Sequence, residues 1–302
     1  MDTDSLRLFV LASEKLNISA AGRALGMVPA VASARLAKLE KSMGADLLHR
    51  STRKVSVSLE GSELLPFARE IIAQEDAARA ALGQKSLDIT GTIRFTAPST
   101  FAQSYVAPFL PEFTERHPKI KLDLRLSDTR YDLIDGSFDL AIRNAAMEDT
   151  SLKGRKLADD RRILCAAPEY LRQHGTPETP DALSDHRLIA FKDMHVRRFV
   201  DASGQVGLFD PQNAQCQVMI DDGMSQKVAT LSGAGISVNS LWNVHEDVRA
   251  GRLIHVLPDF RLEADTALWL VYPKTNILSP KVRAFMDFLL EKIATCAVFA
   301  KA

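Results

Sequence analysis

The chain reads as an α/β protein that opens with a small, mostly helical unit. Two observations carry that reading. The first part is rich in alanine and leucine at helical spacing, with a glycine between two short helical segments and a basic, alternating stretch behind them. Beyond Gly91 the texture changes to short alternating strands separated by helical stretches, as in a sheet built with crossover connections. At 302 residues there is room for two or three modest domains. A hydrophobic share of 46% beside a charged share of 25% excludes a disordered or fibrous chain.

The opening unit follows in order. Leu6, Phe9, Val10 and Leu16 recur at helical spacing and predict an amphipathic helix. Ser19 is placed to N-cap a second, short helix carrying Ala20, Ala21, Ala24 and Leu25. Gly26 supplies a turn at positive φ, and Pro29 suits the first position of a third helix, where a missing N–H costs nothing. In that helix Ala32, Leu36, Leu39 and Met43 form one buried stripe, and Val31, Arg35 and Lys38 lie on the other face. Pro29, Ala30, Ser33 and Ala34 mark its N-terminal end. Short helices can cross closely only over small residues, which Ala20, Ala21, Gly22 and Ala24 provide. After Gly44 the stretch LLHRSTRKVSVS sets Arg50, Ser51, Thr52, Arg53 and Lys54 before Val55 and Val57 and predicts a basic β-wing able to lie along phosphates.

The formal net charge of the chain is zero, but charge is not evenly spread. Residues 23–54 hold Arg23, Arg35, Lys38, Lys41, Arg50, Arg53 and Lys54 against Glu40 and Asp46. Local excess, not the total, governs nucleic-acid binding. Residues 1–10, MDTDSLRLFV, lack the basic and apolar segments of a secretory signal, and no apolar run is long enough to span a bilayer. Cys165, Cys216 and Cys296 are odd in number and share no ligand spacing with histidine, so neither a disulfide framework nor a metal site is expected. A reducing cytoplasm fits.

From Gly61 the stretch GSELLPFAREIIAQEDAARAALGQK keeps Leu64, Ala68, Ile71, Ala78 and Leu82 in a three-four alternation broken by Glu75, the period of a seam between helices. A helix that pairs two chains is expected here, the alternative being a helix lying on its own domain. Pro66 either begins the regular helix or kinks it.

In the larger part, TIRFTA (residues 92–97), KIKLDLRL and FDLAIRN predict three strands, with a helix from Ser99 through Arg116 after the first. RILCAAP, RLIAF, RRFVDA and GISVNS, with a helix over residues 224–231, predict a second α/β half, and TALWLVYP a late strand before a helix over residues 279–293. In open α/β sheets ligands bind beyond the carboxyl ends of strands. Ser99 and Thr100, with Phe101 behind them, stand there at a helix N-terminus that favours an anion; Thr129 and the pair Arg143 and Asn144 follow the next two strands. Arg143 has the fork to hold a carboxylate, or else a structural ion pair. Phe191, Met224 and Ser237 are the candidates from the facing half.

No catalytic constellation is present. The seven histidines are scattered without HExxH, there is no G-x-S-x-G, and the paired glycines lack the third glycine and acidic partner of a dinucleotide site. No reaction and no cofactor are implied.

The residues LFVLASEKLNISAAGRALG and PAVASARLAKLEKSMGADLLHRSTRKVSVS resemble the winged helix-turn-helix of LysR-type transcriptional regulators. The segments YVAPFLPEFTERHPKIKLDLRLSD, DLIDGSFDLAIR, AAPEYLRQHGTPETPDALSDHRLIAF, LSGAGISV, LIHVLPD and SPKVRAFMDFL are similar to that family's effector-binding region, built like a two-lobed periplasmic solute receptor. The resemblance implies a DNA reader over residues 1–60, a linker and dimerisation helix over 61–88 and an effector-binding region over 89–302. The chain would cross between lobes near Asp160 and again near Arg261, giving lobe I at 89–160 and 262–302 and lobe II at 161–261. Implied partners are a double-stranded DNA operator, a small effector such as a carboxylate, a second copy in a homodimer that pairs into a tetramer, and RNA polymerase. Ser19, Pro29, Ala30, Val31, Ser33, Arg35, Lys38 and residues 50–54 would meet DNA. Two places depart from the family pattern: Val28 stands where a polar cap is usual, and Ala34 where a basic residue often follows the exposed serine. Base reading then rests on Ser33 and Arg35, with methyl contacts from Ala30 and Val31. A two-lobed solute-binding protein without a DNA-regulatory role is the alternative.

Overall fold

A computed structural model of the chain describes residues 2–50, 55–81, 89–128, 138–144, 152–192, 196–211, 215–263, 266–273 and 278–299. The chain divides into two compact units, Met1–Ile89 with Lys274–Arg283, and Thr90–Pro273 with Ala284–Ala302.

In the first unit α1 (Thr3–Lys15) begins at Asp2, whose carboxylate accepts from the Ser5 amide at 2.8 Å. It ends at Leu16, which turns to φ 50° and stands 46% exposed instead of joining the buried stripe of Leu6 and Phe9. α2 (Ile18–Ala24) is capped by Asn17, not by Ser19 as the sequence suggested. The Asn17 carboxamide accepts from the Ala20 amide at 2.8 Å, so the helix starts earlier and Ser19 lies inside its first turn. Gly26 makes the turn at φ 70°, and α3 (Pro29–Met43) starts on Pro29 with no side-chain cap from Val28. A Cβ at Gly22 would come within 2.6 Å of the Ala32 Cβ, which is why the α2–α3 crossing demands a glycine there. Ala32, Leu36 and Leu39 are buried against Leu6, Phe9 and Ala21, but Met43 is 39% exposed and leaves the expected stripe one turn early.

The wing is the antiparallel pair β1 (Leu48–Arg50) and β2 (Val55–Val57). Its base hangs on Glu40, a buried carboxylate of α3 that accepts the Leu47 and Leu48 amides at 3.1 and 3.2 Å. Ser51, Thr52, Arg53 and Lys54 lie outside the described residues.

α4 (Leu59–Ala81) runs unbroken past Pro66, so this proline lies inside the helix and does not begin it. Ser58 caps α4 through its hydroxyl, which accepts from the Gly61 amide at 2.9 Å. Leu64, Ala68 and Ile71, the seam expected to meet a second chain, instead pack with Ile72 into the core shared with α1 and α3. Leu82, the last position of that seam, lies outside the described residues. Glu75, which broke the apolar period, pairs with Arg7 of α1 at 3.2 Å, and Asp76 pairs with the same guanidinium. Ala78, further along the same stripe, is exposed.

Among the described residues the second unit holds two five-stranded sheets and a small three-stranded one. β3 (Gly91–Ala97), α5 (Ser99–Tyr105), α6 (Leu110–Arg116), β4 (Ile120–Leu126), β5 (Leu140–Asn144) and β6 (Leu152–Asp159) come first. The single helix expected from Ser99 to Arg116 is broken into α5 and α6, because Pro108 and Pro111 remove amides that a continuous helix would use. β7 (Arg162–Ala166), α7 (Pro168–His174), β8 (Arg187–Phe191), β9 (Arg197–Val200), β10 (Val206–Phe209), β11 (Gln215–Ile220), α8 (Gly223–Leu231), β12 (Ile236–Ser240), α9 (Leu241–Arg249), β13 (Ile254–Val256) and β14 (Arg261–Leu262) follow. β15 (Ala267–Pro273) and α10 (Pro280–Thr295) complete the order.

The first sheet runs β4-β3-β5-β15-β6, with β3 parallel to both neighbours and β15 antiparallel to both of its own. The second runs β11-β8-β12-β7-β13, and β10-β9-β14 form the third. The chain thus passes from the first sheet to the second at Asp160 and Arg161 and returns between β14 and β15. These two passages are tied together: the Asp160 amide donates to the Thr266 carbonyl at 2.9 Å, and the Thr266 hydroxyl to the Asp160 carbonyl at 2.8 Å. Phe95 of β3, Phe113 of α6 and Phe285 of α10 pack edge to face in the first lobe.

Candidate functional site

The first unit offers a surface on α3. Pro29, Ala30, Val31, Ala34 and Lys38 are exposed, and Ser33 and Arg35 are half-buried. Since Pro29 has no N–H and Val28 offers no cap, the amides of Ala30 and Val31 at the start of α3 have no intrahelical acceptor. Backbone donors and the positive end of the helix dipole meet there beside small side chains, a combination suited to a phosphate and a groove floor. Arg35 lies on the outer face of α3 as expected, beside an acid of α1. Its Nη1 lies 3.4 Å from an Asp4 carboxylate oxygen of α1. Hydrogen bonds from Ser5 hold the Asp2 carboxyl below the usual carboxylate range, and the Arg35 charge adds a smaller pull in the same direction. An exposed pair such as Arg35 and Asp4 contributes little and exchanges readily for a phosphate or a base edge. Arg50 ends β1 on the wing.

The second unit offers the crevice where its lobes meet. Ser99 and Thr100 stand beyond the end of β3 as expected, yet what faces them is acidic. The Thr100 hydroxyl lies 3.5 Å from Asp128 Oδ2 and 3.4 Å from Oδ1 of Asp222, which belongs to the other lobe. Asp128 Oδ2 accepts the Gly223 amide at 3.0 Å, and Asp222 caps α8 by accepting the Ser225 amide at 2.7 Å. Burial pushes the Asp128 carboxyl above its ordinary range against hydrogen bonds from Gly223 and Ser99, and the Asp222 charge adds to the rise. Burial opposes ionisation of Asp222 as well, but the hydrogen bonds it accepts from Ser225 outweigh that and, with others, hold this carboxyl low. The two carboxyls thus influence each other across the lobes, Asp128 being the weaker acid of the two. The end of the crevice at Ser99 and Thr100, expected to take an anion, thus also carries two acids.

The other predicted residues fall into two groups. Asn144 reaches the passage between lobes, donating to Asp160 Oδ2 at 2.7 Å. Asp160 is buried and accepts also from Arg162 Nε at 2.8 Å and from the Trp242 indole at 2.7 Å, so one carboxylate joins β5, β7 and α9. Arg143 is half-buried, with Nη1 donating to the Ile142 carbonyl at 3.3 Å. Phe191 and Met224 are half-buried, at the end of β8 and in the first turn of α8. Phe101 and Ser237 do not line an opening. Phe101 is fully buried among Tyr105, Trp242 and Phe299, and Ser237 is fully buried with its hydroxyl 2.6 Å from that of Thr230. Thr129 lies outside the described residues. Sequence reading missed Asp128, Asp160, Asp222 and Trp242; a lone acid or tryptophan gives no periodic signal, and only the crossing of the lobes brings these together.

Cys165 is buried and its thiol is pushed up to about 11 by burial, so it is poorly suited to nucleophilic or redox chemistry.

The chain matches two family descriptions: bacterial regulatory helix-turn-helix protein, lysR family, over residues 3–62, and LysR substrate binding domain, over residues 88–294. The chain belongs to the LysR family. Among its relatives are an HTH-type transcriptional regulator of Xanthomonas campestris, 31% identical over 97% of this chain and 86% of its own length, and DmlR of Escherichia coli, 30% identical over 96% and 94%. The solved structure of CrgA, a LysR-type transcriptional regulator from Neisseria meningitidis, is 28% identical, covers 98% of this chain and all of its own, and superposes with a TM-score of 0.62. The full-length structure of the Vibrio cholerae virulence activator AphB, 24% identical over 96% of this chain and 99% of its own with a TM-score of 0.60, shares the fold. This LysR-type protein is a DNA-binding transcriptional regulator with an effector-binding domain. The reader over residues 3–62 overturns the alternative of a solute-binding protein without a regulatory role. Among the described residues no helix is long and apolar enough to cross a membrane.

Proposed function

We propose that α3 enters the major groove of an operator with Ala30, Val31, Ser33, Arg35 and Lys38 toward the bases and backbone, while Ser19 and the wing residues 50–54 touch phosphates. The uncapped, exposed N-terminal end of α3 carries this reading, because no described element of the reader unit covers it. The organisation is a reader over residues 1–60, a linker helix over 61–88 and an effector region over 89–302, acting in the cytoplasm, where RNA polymerase is the further contact. Two readers act together, since one short helix reads too few bases for a unique site. The surface that supports pairing is the groove of Met43, Ala45, Leu47, Leu64 and Phe67 beside α4, lined also by Glu60 and Glu63, where Phe67 is 62% exposed. The dimer pairs further into a tetramer. A small molecule entering the crevice changes the relation of the two lobes and so favours one assembly over another, which it can do only by binding one of them more tightly.

Footprinting of the full chain on its own upstream region tests this. Two protected half-sites about one helical turn apart, or a multiple of it, are expected. Arg35→Ala should lose about 1 to 3 kcal/mol of specific affinity and relax the preference at one base pair. An unaltered footprint and affinity in that variant would remove Arg35 from base reading.

A further inference from the structure

The wing cannot place itself. Its strands are three residues each, and a hairpin of that size has too little apolar surface to hold a fixed position alone. Leu47 and Leu48 are buried in the reader core with Val55 and Val57 packed against it, but apolar packing has no direction. Among the described residues the directional contacts at the wing base converge on Leu47. From α3, Glu40 takes the amides of Leu47 and Leu48 on one oxygen, Oε1, at 3.1 and 3.2 Å, and Glu40 is itself buried. From the start of α4, the Ser58 amide donates to the Leu47 carbonyl at 3.1 Å and the Ser58 hydroxyl to the Asp46 carbonyl at 2.6 Å. Gly61 closes the same side: a Cβ there would come within 2.1 Å of the Leu47 oxygen. Glu40 stands on the same helix as Ser33 and Arg35. Its carboxylate is therefore a link of defined length between the base-reading helix and the strand that leads to the wing cations.

We infer that Glu40 is a positioning residue for DNA binding: its carboxylate sets the wing at a fixed offset from α3, so that helix and wing meet one half-site together. The inference rests on reading the wing as a phosphate contact. A helix in the groove and a hairpin along the backbone support each other only if their spacing matches the duplex beforehand, since ordering the hairpin on contact would be subtracted from the affinity. Glu40 acts in this role without touching DNA. Its effect is carried by the wing cations, which makes it separable from a plain contribution to folding.

The test is the salt dependence of binding by the full chain to a duplex from its own upstream region and to a random duplex, with the active fraction titrated for each variant. Arg50→Ala/Arg53→Ala, which neutralises the wing, should flatten the slope of log affinity against log salt by about two. Glu40→Ala should flatten it by about one to two on both duplexes, while methylation protection of guanines under α3 on the upstream duplex keeps the wild-type pattern. Glu40→Gln keeps an acceptor oxygen for the two amides and should restore the wild-type slope. In the wing-neutral chain Glu40→Ala should change affinity by no more than about twofold, because the contacts it positions are gone. If Glu40→Ala melts below the assay temperature, Glu40→Asp, whose shorter arm cannot hold both amides, is read by the same criteria. A wild-type slope in Glu40→Ala beside a flattened one in the wing variant leaves the wing on phosphate and removes Glu40. An unchanged slope in the wing variant removes the wing reading and Glu40 with it. An undiminished Glu40→Ala effect in the wing-neutral chain, or guanine protection lost together with the slope, makes Glu40 a residue of the fold alone and overturns the inference.

Discussion

Two helix starts in this molecule solve the same problem in opposite ways. α3 begins on Val28 and Pro29 with no side-chain cap and with its first residues exposed, so its unpaired amides wait for an outside acceptor. α8 begins on Asp222, whose carboxylate takes the Met224 and Ser225 amides, while Asp128 of the facing lobe takes the amide of Gly223. The open end costs the reader roughly 1 kcal/mol of helix stability that a polar cap would supply. The closed end binds one lobe to the other. A missing cap can therefore mark a surface for a partner, and a helix start in a ligand crevice is not by itself an anion site when the chain brings its own acids to it.

Placing a carboxylate at the open end gives the largest expected effect. Ala30→Glu should suit the helix dipole and leave the melting temperature unchanged or slightly raised, yet repel phosphate and weaken operator binding about a hundredfold, near 3 kcal/mol. Equal DNA affinity in a gel shift would show that the start of α3 faces no phosphate or groove. At the closed end, Asp222→Ala removes the cap of α8 and should cost about 1 kcal/mol, or a few degrees of melting temperature, with operator affinity of the unliganded chain little changed. A melting temperature equal to wild type would mean the cap is offset by relief of the Asp128 carboxyl.

Acidity sharpens the contrast. Because the Asp128 carboxyl is raised, its contribution to the lobe contact is complete below the ordinary carboxylate value and is lost as pH rises through the raised one. Asp222, held low, contributes above the ordinary value and loses its contribution only in stronger acid. Between neutrality and the ordinary carboxylate range, acidification should therefore tighten the lobe contact. Asp128→Asn keeps a donor without the charge and should raise the neutral-pH melting temperature by roughly 2 °C and flatten its rise on acidification. A melting profile parallel to wild type would show that ionisation of Asp128 does not weaken the lobe contact. The smallest effect is expected from Asp4→Asn, which frees Arg35 and removes a nearby negative charge, tightening operator binding about twofold at low salt; no change in titrated affinity would mean that Arg35 already leaves Asp4 at no cost.

Much of the fold is legible in periodicity. The α2 turn and α3, the wing strands, the β3, β4 and β5 series and the helix of residues 280–295 all carry local patterns that backbone sterics and apolar spacing impose. β6 carries no such signal, because LKGRKLAD alternates charge with glycine and alanine, and its place in the sheet comes from pairing with β15 across the return of the chain. The break between α5 and α6 is written in Pro108 and Pro111, but the apolar run around them hides it.

The sequence by itself determined the architecture and the reader, since helix spacing, the turn at Gly26, the small residue at Gly22 and the clustered cations are local properties that fold the same way wherever they stand. Only the tertiary structure decided which faces remain open. It turned Leu64, Ala68 and Ile71 inward onto α1, drew Arg35 toward Asp4, and placed Asp128 and Asp222 at the Thr100 end of the crevice. Burial and charge pairing depend on residues tens of positions or more apart, as with Thr100 and Asp222, and no short window of sequence holds both partners.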